Sequence, residues 1–596
     1  FEVGDAFFFT EAETVDEALR IFLLPEIDET VDRFIFSTAA SYRPTEIIST
    51  RFSVGVDNRK NEQRVYEPIG FIPGERTGEL DVFDRSFNSV TLEATGTLSY
   101  PRTGSITSNL TVGAQGFRDM ENTISATGTT FALPGAPDID EAATITATEA
   151  RSEIFNGGFF VQERVGIVDR LFLEGGMRFD YNSAFGEEVG VEAYPKAGVS
   201  YMLSSEPMFQ SALGSIFSEL KLRGAYGKAG KFPEPFLRDR TFNAASFRGE
   251  SAPRFDNPGN LELGPEVTST IEVGLDAALF ANRLGLGFTY YDAVTSDALF
   301  FVPEPPLTGQ GTQLRNVGEI TNRGIELDAQ LQLLNLRNVQ WWLNATYQVV
   351  DNEVTDMTGA SPFAVETQKQ VCGPPHDCDL GEGKGRPVGA WFVTTPIDTN
   401  GDGKLDDFER QYTGGQPFPE SSGSISTDIT LYNRISLSVS GGWARGHQVM
   451  DWGSVWASFN NIFRREVLEC GDNLEGCDAR FPIRHDLDGN PILDDDGNPV
   501  HFTQSQARSE FIYDGDYFKL REISARYQLP VDFAARFGVD RATIFASVRN
   551  VAIFSKNRLI DPELNGLSGD GLSLGSESSV TLSPPRQLRF GVDVSF

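Results

Sequence analysis

One stretch of the chain has the residue types and spacing of a metal site. In Asp398-Thr-Asn400-Gly-Asp402-Gly403-Lys404-Leu-Asp406-Asp-Phe-Glu409, oxygen-bearing side chains fall at loop positions 1, 3, 5, 9 and 12. Gly403 stands at position 6, where a calcium loop turns sharply. On this reading Asp398, Asn400, Asp402 and Glu409 offer side-chain oxygens. Lys404 offers its backbone carbonyl, and Asp406 binds directly or through water. Pro396 before the segment and a Gly-rich stretch after it exclude the flanking helices of an EF-hand. The expectation is therefore a structural calcium ion on a loop, with an acidic turn that binds nothing as the alternative. Asp486, Asp488, Asn490, Asp494, Asp495 and Asp496 form a second acidic run without that spacing, which reads as a solvated loop. It holds the only internal repeat, Asp488-Gly-Asn-Pro and Asp496-Gly-Asn-Pro, which predicts two turns of one hairpin.

Other chemistry is sparse. Cys372 with Cys378 and Cys470 with Cys477 form two close pairs in Gly/Pro/Asp-rich segments, as local disulfides of an oxidising compartment do. Zinc, with His376 beside the first pair, and free thiols are the alternatives. The chain has no Gly-x-Ser-x-Gly elbow, no His-Glu-x-x-His and no phosphate-binding glycine loop, and its four histidines are dispersed. It is not read as an enzyme, and no catalytic or substrate-binding residue is assigned.

The elements that must carry these segments are strands. Leu588, Phe590, Val592, Val594 and Phe596 alternate with Gln587, Arg589, Gly591, Asp593 and Ser595, and the chain ends on the aromatic. Alternate side chains of a strand point to opposite faces, so one face is apolar and the other polar. Leu171 to Asp180, Ile325 to Leu333, Trp341 to Val349, Ile435 to Trp443 and Ala542 to Arg549 repeat the pattern. Roughly 16–18 such segments of about ten residues are expected, the length of a tilted transmembrane β-strand. The polar face carries Glu174, Arg178, Glu326, Asp328 and Arg549, which suits a water-filled or plugged lumen. Asn282-Arg283 and Asn335 to Val339 read as tight turns. Long loops are expected over 58–89, 118–151, 232–266, 351–421, 444–509 and 554–585. Short turns at one rim and long loops at the other is the outer-membrane arrangement. Only Thr14 to Arg20 reads as helical.

Composition agrees. No run of about 18 apolar residues occurs, so a transmembrane helix is excluded while a barrel, whose alternation averages away, is not. The 596 residues carry a net charge of −35, which disfavours nucleic acid and anionic surfaces as partners.

Several segments resemble the SusC/RagA-type TonB-dependent outer-membrane transporters. Asp514-Gly-Asp516-Tyr517-Phe-Lys-Leu520-Arg-Glu-Ile523-Ser-Ala-Arg-Tyr527-Gln-Leu-Pro530 resembles their late-barrel signature. Arg549-Asn550-Val551 and Asp561-Pro562-Glu563 resemble the strand end and loop that follow it. Asn316-Val-Gly318-Glu319-Ile-Thr-Asn322-Arg-Gly324-Ile-Glu326 resembles the mid-barrel hairpin, and Leu222-Arg-Gly-Ala-Tyr226-Gly227-Lys-Ala-Gly230 another strand and loop. The resemblance implies an all-β fold, a large antiparallel transmembrane barrel of about 22 strands in the family. It implies import of oligosaccharides or peptides across the outer membrane, with a SusD-like lipoprotein and TonB–ExbB–ExbD as partners. A siderophore or cobalamin receptor is one alternative; a passive porin or surface adhesion barrel is the other. The family's signal peptide, TonB box, plug domain and first strands are not seen in residues 1–596, so the chain is expected to be a C-terminal barrel portion.

Overall fold

A computed structural model describes residues 24–595, except 71–76, 134, 136, 137, 186–189, 249, 367, 382, 460–480, 495, 496, 557–560, 564–576 and 579–583. The Thr14–Arg20 segment, the Cys470–Cys477 pair and Phe596 lie outside the described residues. No described helix is long and apolar enough to cross a membrane.

Seventeen strands form one antiparallel sheet. They are β1 Glu26–Tyr42, β2 Ile48–Glu67, β3 Glu79–Thr103, β4 Ile106–Thr129, β5 Thr144–Ile167, β6 Leu171–Asn182, β7 Glu192–Met202, β8 Phe217–Lys231, β9 Glu266–Leu279, β10 Leu284–Ser296, β11 Glu319–Leu336, β12 Val339–Asp356, β13 Ser421–Leu431, β14 Ile435–Arg445, β15 Tyr517–Gln528, β16 Arg541–Ser555 and β17 Gln587–Ser595. Each pairs with the next in chain order, a meander from β1 to β17. Among the described residues no pairing joins β1 to β17.

The connections alternate between two rims, and the longest all fall at one of them. Turns 43–47, 104–105, 168–170, 203–216, 280–283, 337–338, 432–434 and 529–540 all fall at one rim. Segments 68–78, 130–143, 183–191, 232–265, 297–318, 357–420, 446–516 and 556–586 all fall at the other. The expected asymmetry of rims is present, but the strands are longer than expected. β3 has 25 residues and β4 and β5 have 24 each. At ~3.3 Å per residue these strands far outrun an apolar band about 25 Å tall. Residues 58–67, 79–89, 118–129 and 144–151 are strand, not loop, and β12 likewise runs on to Asp356. Above the band both faces are polar, so the two-residue period disappears from the sequence. Cross-strand pairs such as Arg85–Glu121 at 2.7 Å, Arg118–Glu153 at 2.7 Å and Lys60–Asp84 at 3.5 Å line the extensions.

Register fixes the two faces. Directly opposed residues share a face, and Arg223, Gly274, Thr289, Glu326, Gln348, Ser422, Ala444 and Tyr517 form one continuous cross-strand row. Arg589 opposes Ser547, then Ser524, Ser438, Asp428, Trp342 and Gln332, so Arg589 and Asp593 share the polar face with Glu326. Leu588, Phe590, Val592 and Val594 stand on the opposite face and are exposed. Phe36, Phe52, Phe159, Leu173, Leu286, Leu327, Tyr347 and Leu437 are exposed there as well. A continuous uncovered apolar face of this size requires lipid, and the polar face requires water.

Buried apolar residues gather instead in the long segments. Val302, Val317, Val354, Met357, Phe363, Val371 and Val388 form one cluster at the long-loop rim. Trp391, Met450, Val455, Phe481, Phe502 and Phe511 form another. The Cys372–Cys378 disulfide is formed, so those sulfurs are not zinc thiolates, and the Arg386 Nε–H donates to the Cys378 carbonyl at 2.8 Å. The predicted repeat is a pair of matching turns: the Asn490 and Asn498 amides each donate to Asp486 and Asp494 carboxylates at 2.8 Å.

Candidate functional site on the inner wall

The polar face forms a recess of about 600 Å³ that runs from mid-strand to the long-loop rim, lined by Arg223, Thr289, Glu326, Asp328, Thr346, Gln348, Ser422, Tyr517 and Arg521. Strands from β8 to β15 contribute, so the face is concave there. Strand alternation brings these side chains to one side. Glycines on neighbouring strands let them lie flat. A Cβ on Gly274 would come within 2.7 Å of the Arg223 guanidinium, and one on Gly287 within 2.0 Å of an Asp328 oxygen. Those positions exclude a side chain by close approach, which keeps the space above the wall open.

Charges on the wall are mostly paired. The Arg223 Nη2 donates to Thr289 Oγ1 at 2.6 Å, and Arg223 shares Asp276 with Lys221, at 3.4 and 2.7 Å. Glu326 and Asp328 make no hydrogen bond or ion pair among the described residues, leaving two carboxylates turned to the recess.

The late-barrel end is a network. Against β14 the register shifts between Ser440, opposite Glu522, and Gly441, opposite Leu520, a bulge that makes Arg521 the extra residue. The Arg521 side chain lies 3.1 Å from a Cβ position on Gly442, and so on the inner face. Lys519 Nζ reaches Asp561 at 2.9 Å and Glu563 at 2.7 Å, and Arg521 reaches Glu563 at 2.5 Å. Lys519 and Asp561 are buried. These contacts pin Asp561–Glu563 of the segment after β16 against β15. Burial works against the Glu563 carboxylate, but hydrogen bonds from Arg521 and Lys519 prevail and hold it below its usual range. His447 lies beside this site, cradled at Gly515, whose Cβ would meet Nε2 at 2.6 Å. Burial pushes the His447 imidazole below its ordinary value, against the pull of Asp516 and Asp514.

Residues singled out by the sequence are dispersed. Asp398 accepts the Gly401 and Gly403 amides, each at 2.7 Å, and that grip, Gly403 foremost, lowers its titration. Asn400 Oδ1 accepts the Asp402 amide at 2.9 Å, and Asp402 Oδ1 the Lys404 amide at 2.8 Å. Asp406 is buried and accepts Thr399 Oγ1 at 2.8 Å. Glu409 stands in the strand Asp407–Tyr412, opposite Thr395. Among the described residues no three His, Cys, Asp or Glu side chains gather as metal ligands. His376 Nε2 lies 2.7 Å from the Ala360 carbonyl. The recess itself had no spacing signal of its own. Tyr517, Arg521, Asp561, Glu563, Gly324 and Glu326 all fall within the segments that carry the family resemblance.

This arrangement has hydrogen-bonding and ion-pairing groups around a recess and no nucleophile set beside a base. Such a recess can hold a polar solute. Sheet, rims and a two-faced wall together have the arrangement of a transmembrane β-barrel. The chain belongs to the TonB dependent receptor-like β-barrel family, whose model matches residues 25–551. TonB-dependent receptor P26 of Formosa agariphila is 25% identical over 475 residues, covering 74% of this chain and 46% of that protein. TonB-dependent receptor P39 of the same organism is 24% identical over 515 residues, covering 77% and 47%. The chain spans about half the length of these curated relatives. The fold is also that of the RagAB peptide transporter, with a TM-score of 0.78 over 100% of this chain and 65% of that one, at 16% identity. The same importer in an open-open state gives 0.76 over 100% and 64%, also at 16% identity.

Proposed function

We propose that this chain is the barrel wall of a TonB-dependent importer of peptides or oligosaccharides in the outer membrane. A SusD-like lipoprotein would sit at the long-loop rim, and TonB–ExbB–ExbD would supply the energy. The observation that carries this reading is the inner-wall recess, which offers hydroxyls, amides, carboxylates and guanidinium groups and few apolar surfaces. A wide polar lumen suits hydrated oligomers rich in hydrogen-bonding groups. The fold shared with the RagAB peptide transporter favours peptides of the two. Siderophore or cobalamin uptake uses the same barrel family, and a passive pore would need no energy.

Uptake separates these readings. Cells lacking the gene, complemented cells and cells lacking TonB are given labelled peptides, labelled oligosaccharides and a ferric siderophore. Import of an oligomer that disappears in both deletion strains supports the proposal. Uptake that persists without TonB indicates a passive pore, and loss of the siderophore alone indicates a metal-chelate receptor.

A further inference from the structure

We propose that the membrane-facing wall over β2 to β5 seats one aminophospholipid, its acyl chain in an apolar recess and its ammonium group on Glu163. The recess has a volume of about 690 Å³, within the range of ligand-holding pockets. It lies on the face opposite the polar recess. Phe52, Ala94, Ala114 and Phe159 are directly opposed across four adjacent strands, and Thr50, Gly96, Val112 and Val161 form the next row. Ala94, Gly96 and Ala114 make a low floor two strands wide. Phe52 and Phe159 make its walls, three strand spacings or about 14 Å apart, which leaves a channel of acyl-chain width between the rings. The Phe159 ring is buttressed by Phe179, their centroids 4.9 Å apart. Towards the long-loop rim Phe155 closes the channel, its ring 3.1 Å from a Cβ position on Gly157 and 3.8 Å from one on Gly116.

The other end is charged. One same-face step towards the short-turn rim, Glu163 opposes Leu110. It shares the outer face with Val161 and Val165, where a carboxylate is costly and marks function by default. Its Oε1 accepts the Ser108 hydroxyl at 2.5 Å, and no cation of the chain pairs with it among the described residues. Glu163 stands four residues before the end of β5 at Ile167. On a tilted strand that is about 10 Å from the turn, the depth of lipid headgroups in the adjacent leaflet. An anion at headgroup depth beneath an acyl-wide channel is complementary to a zwitterionic lipid with a primary ammonium. Arg51, the cation in the recess lining, belongs by register to the inward-facing row with Thr95, Gly113 and Phe160, so the charge on the membrane face at this end is that of Glu163, which is not complementary to an anionic lipid.

The test is native mass spectrometry of the whole protein, extracted in mild detergent, stripped of lipid and offered equimolar phosphatidylethanolamine and phosphatidylglycerol. The wild-type protein is expected to retain one phosphatidylethanolamine, favoured by about fivefold, the scale of a single partly exposed ion pair. Glu163→Gln should abolish the preference while total lipid retention persists. Ala94→Leu with Ala114→Leu, which fills the floor, should remove the retained lipid of either kind. Equal retention of the two lipids by the wild type, which needs no variant to fold, would overturn the proposal and leave bulk lipid only. A preference that survives Glu163→Gln would overturn it too.

Discussion

Lys519 is the residue on which the inner wall turns. Its ammonium is buried between Asp561 and Glu563, which come from a segment 42 and 44 residues further along the chain. Removing one partner of a buried pair strands the other, at a cost of about 3–5 kcal/mol. Lys519→Met should therefore destabilise the folded protein on the order of 3 kcal/mol, read from its denaturant midpoint, and release Asp561–Glu563 to proteolysis. An unchanged midpoint and cleavage pattern would show that the pair holds nothing. At the same scale, we propose that calcium orders Asp398–Glu409. The turn is already gripped by its own amides, with Gly401, Asp402 and Gly403 donating to Asp398. Glu409 must swing out of its place opposite Thr395 to complete the shell, so affinity should be weak, about 10⁻⁴–10⁻³ M. Calorimetry should show heat at millimolar calcium that Asp398→Asn with Asp402→Asn removes; no heat leaves an acidic turn.

Strands were the most legible element, because the two-residue period writes both faces directly into the sequence. It placed Arg589 and Val592 on opposite sides of β17, as the register has them. Val592→Arg should cost roughly 2–4 kcal/mol of folding free energy near the membrane midplane, and Asp593→Asn much less. Equal effects in a urea titration would contradict the two-faced reading. The upper halves of β2 to β5 were not legible, since a strand polar on both faces has no period to detect. Nor were the two apolar clusters at the long-loop rim, whose residues are scattered through irregular segments. The bulge at Arg521 left no spacing signal either. The recess was legible only through family-like motifs, because its residues meet by register between distant strands. Within the loops, His447 makes the packing pH-dependent. Its folded value is lowered by burial, so its contribution is complete above about 6.5 and is lost as pH falls below it through the folded value. Protection factors for hydrogen exchange at Gly446 and Gly515, corrected for the intrinsic pH dependence, should fall as pH drops from about 7.5 to about 5.5, and His447→Gln should flatten that dependence.

At the scale of the whole molecule, a net charge of −35 and a mean hydropathy of −0.25 look like a soluble acidic protein. The sheet reconciles them with a membrane. The apolar residues are confined to one face over a limited height, and much of the charge lies on the inner wall, the strand extensions and the loops. Membership of the TonB dependent receptor-like barrel family follows from residues 25–551. The central claim is that one face meets water inside a barrel and the other meets lipid. Single cysteines at Glu326, Leu327, Asp328, Ala329 and Gln330 of β11, in protein embedded in outer membranes, test it most directly. Modification by a water-soluble, membrane-impermeant thiol reagent should alternate, with 326, 328 and 330 reactive and 327 and 329 protected unless a lipid-soluble reagent is used. Uniform reactivity along the strand, or the opposite alternation, would contradict it.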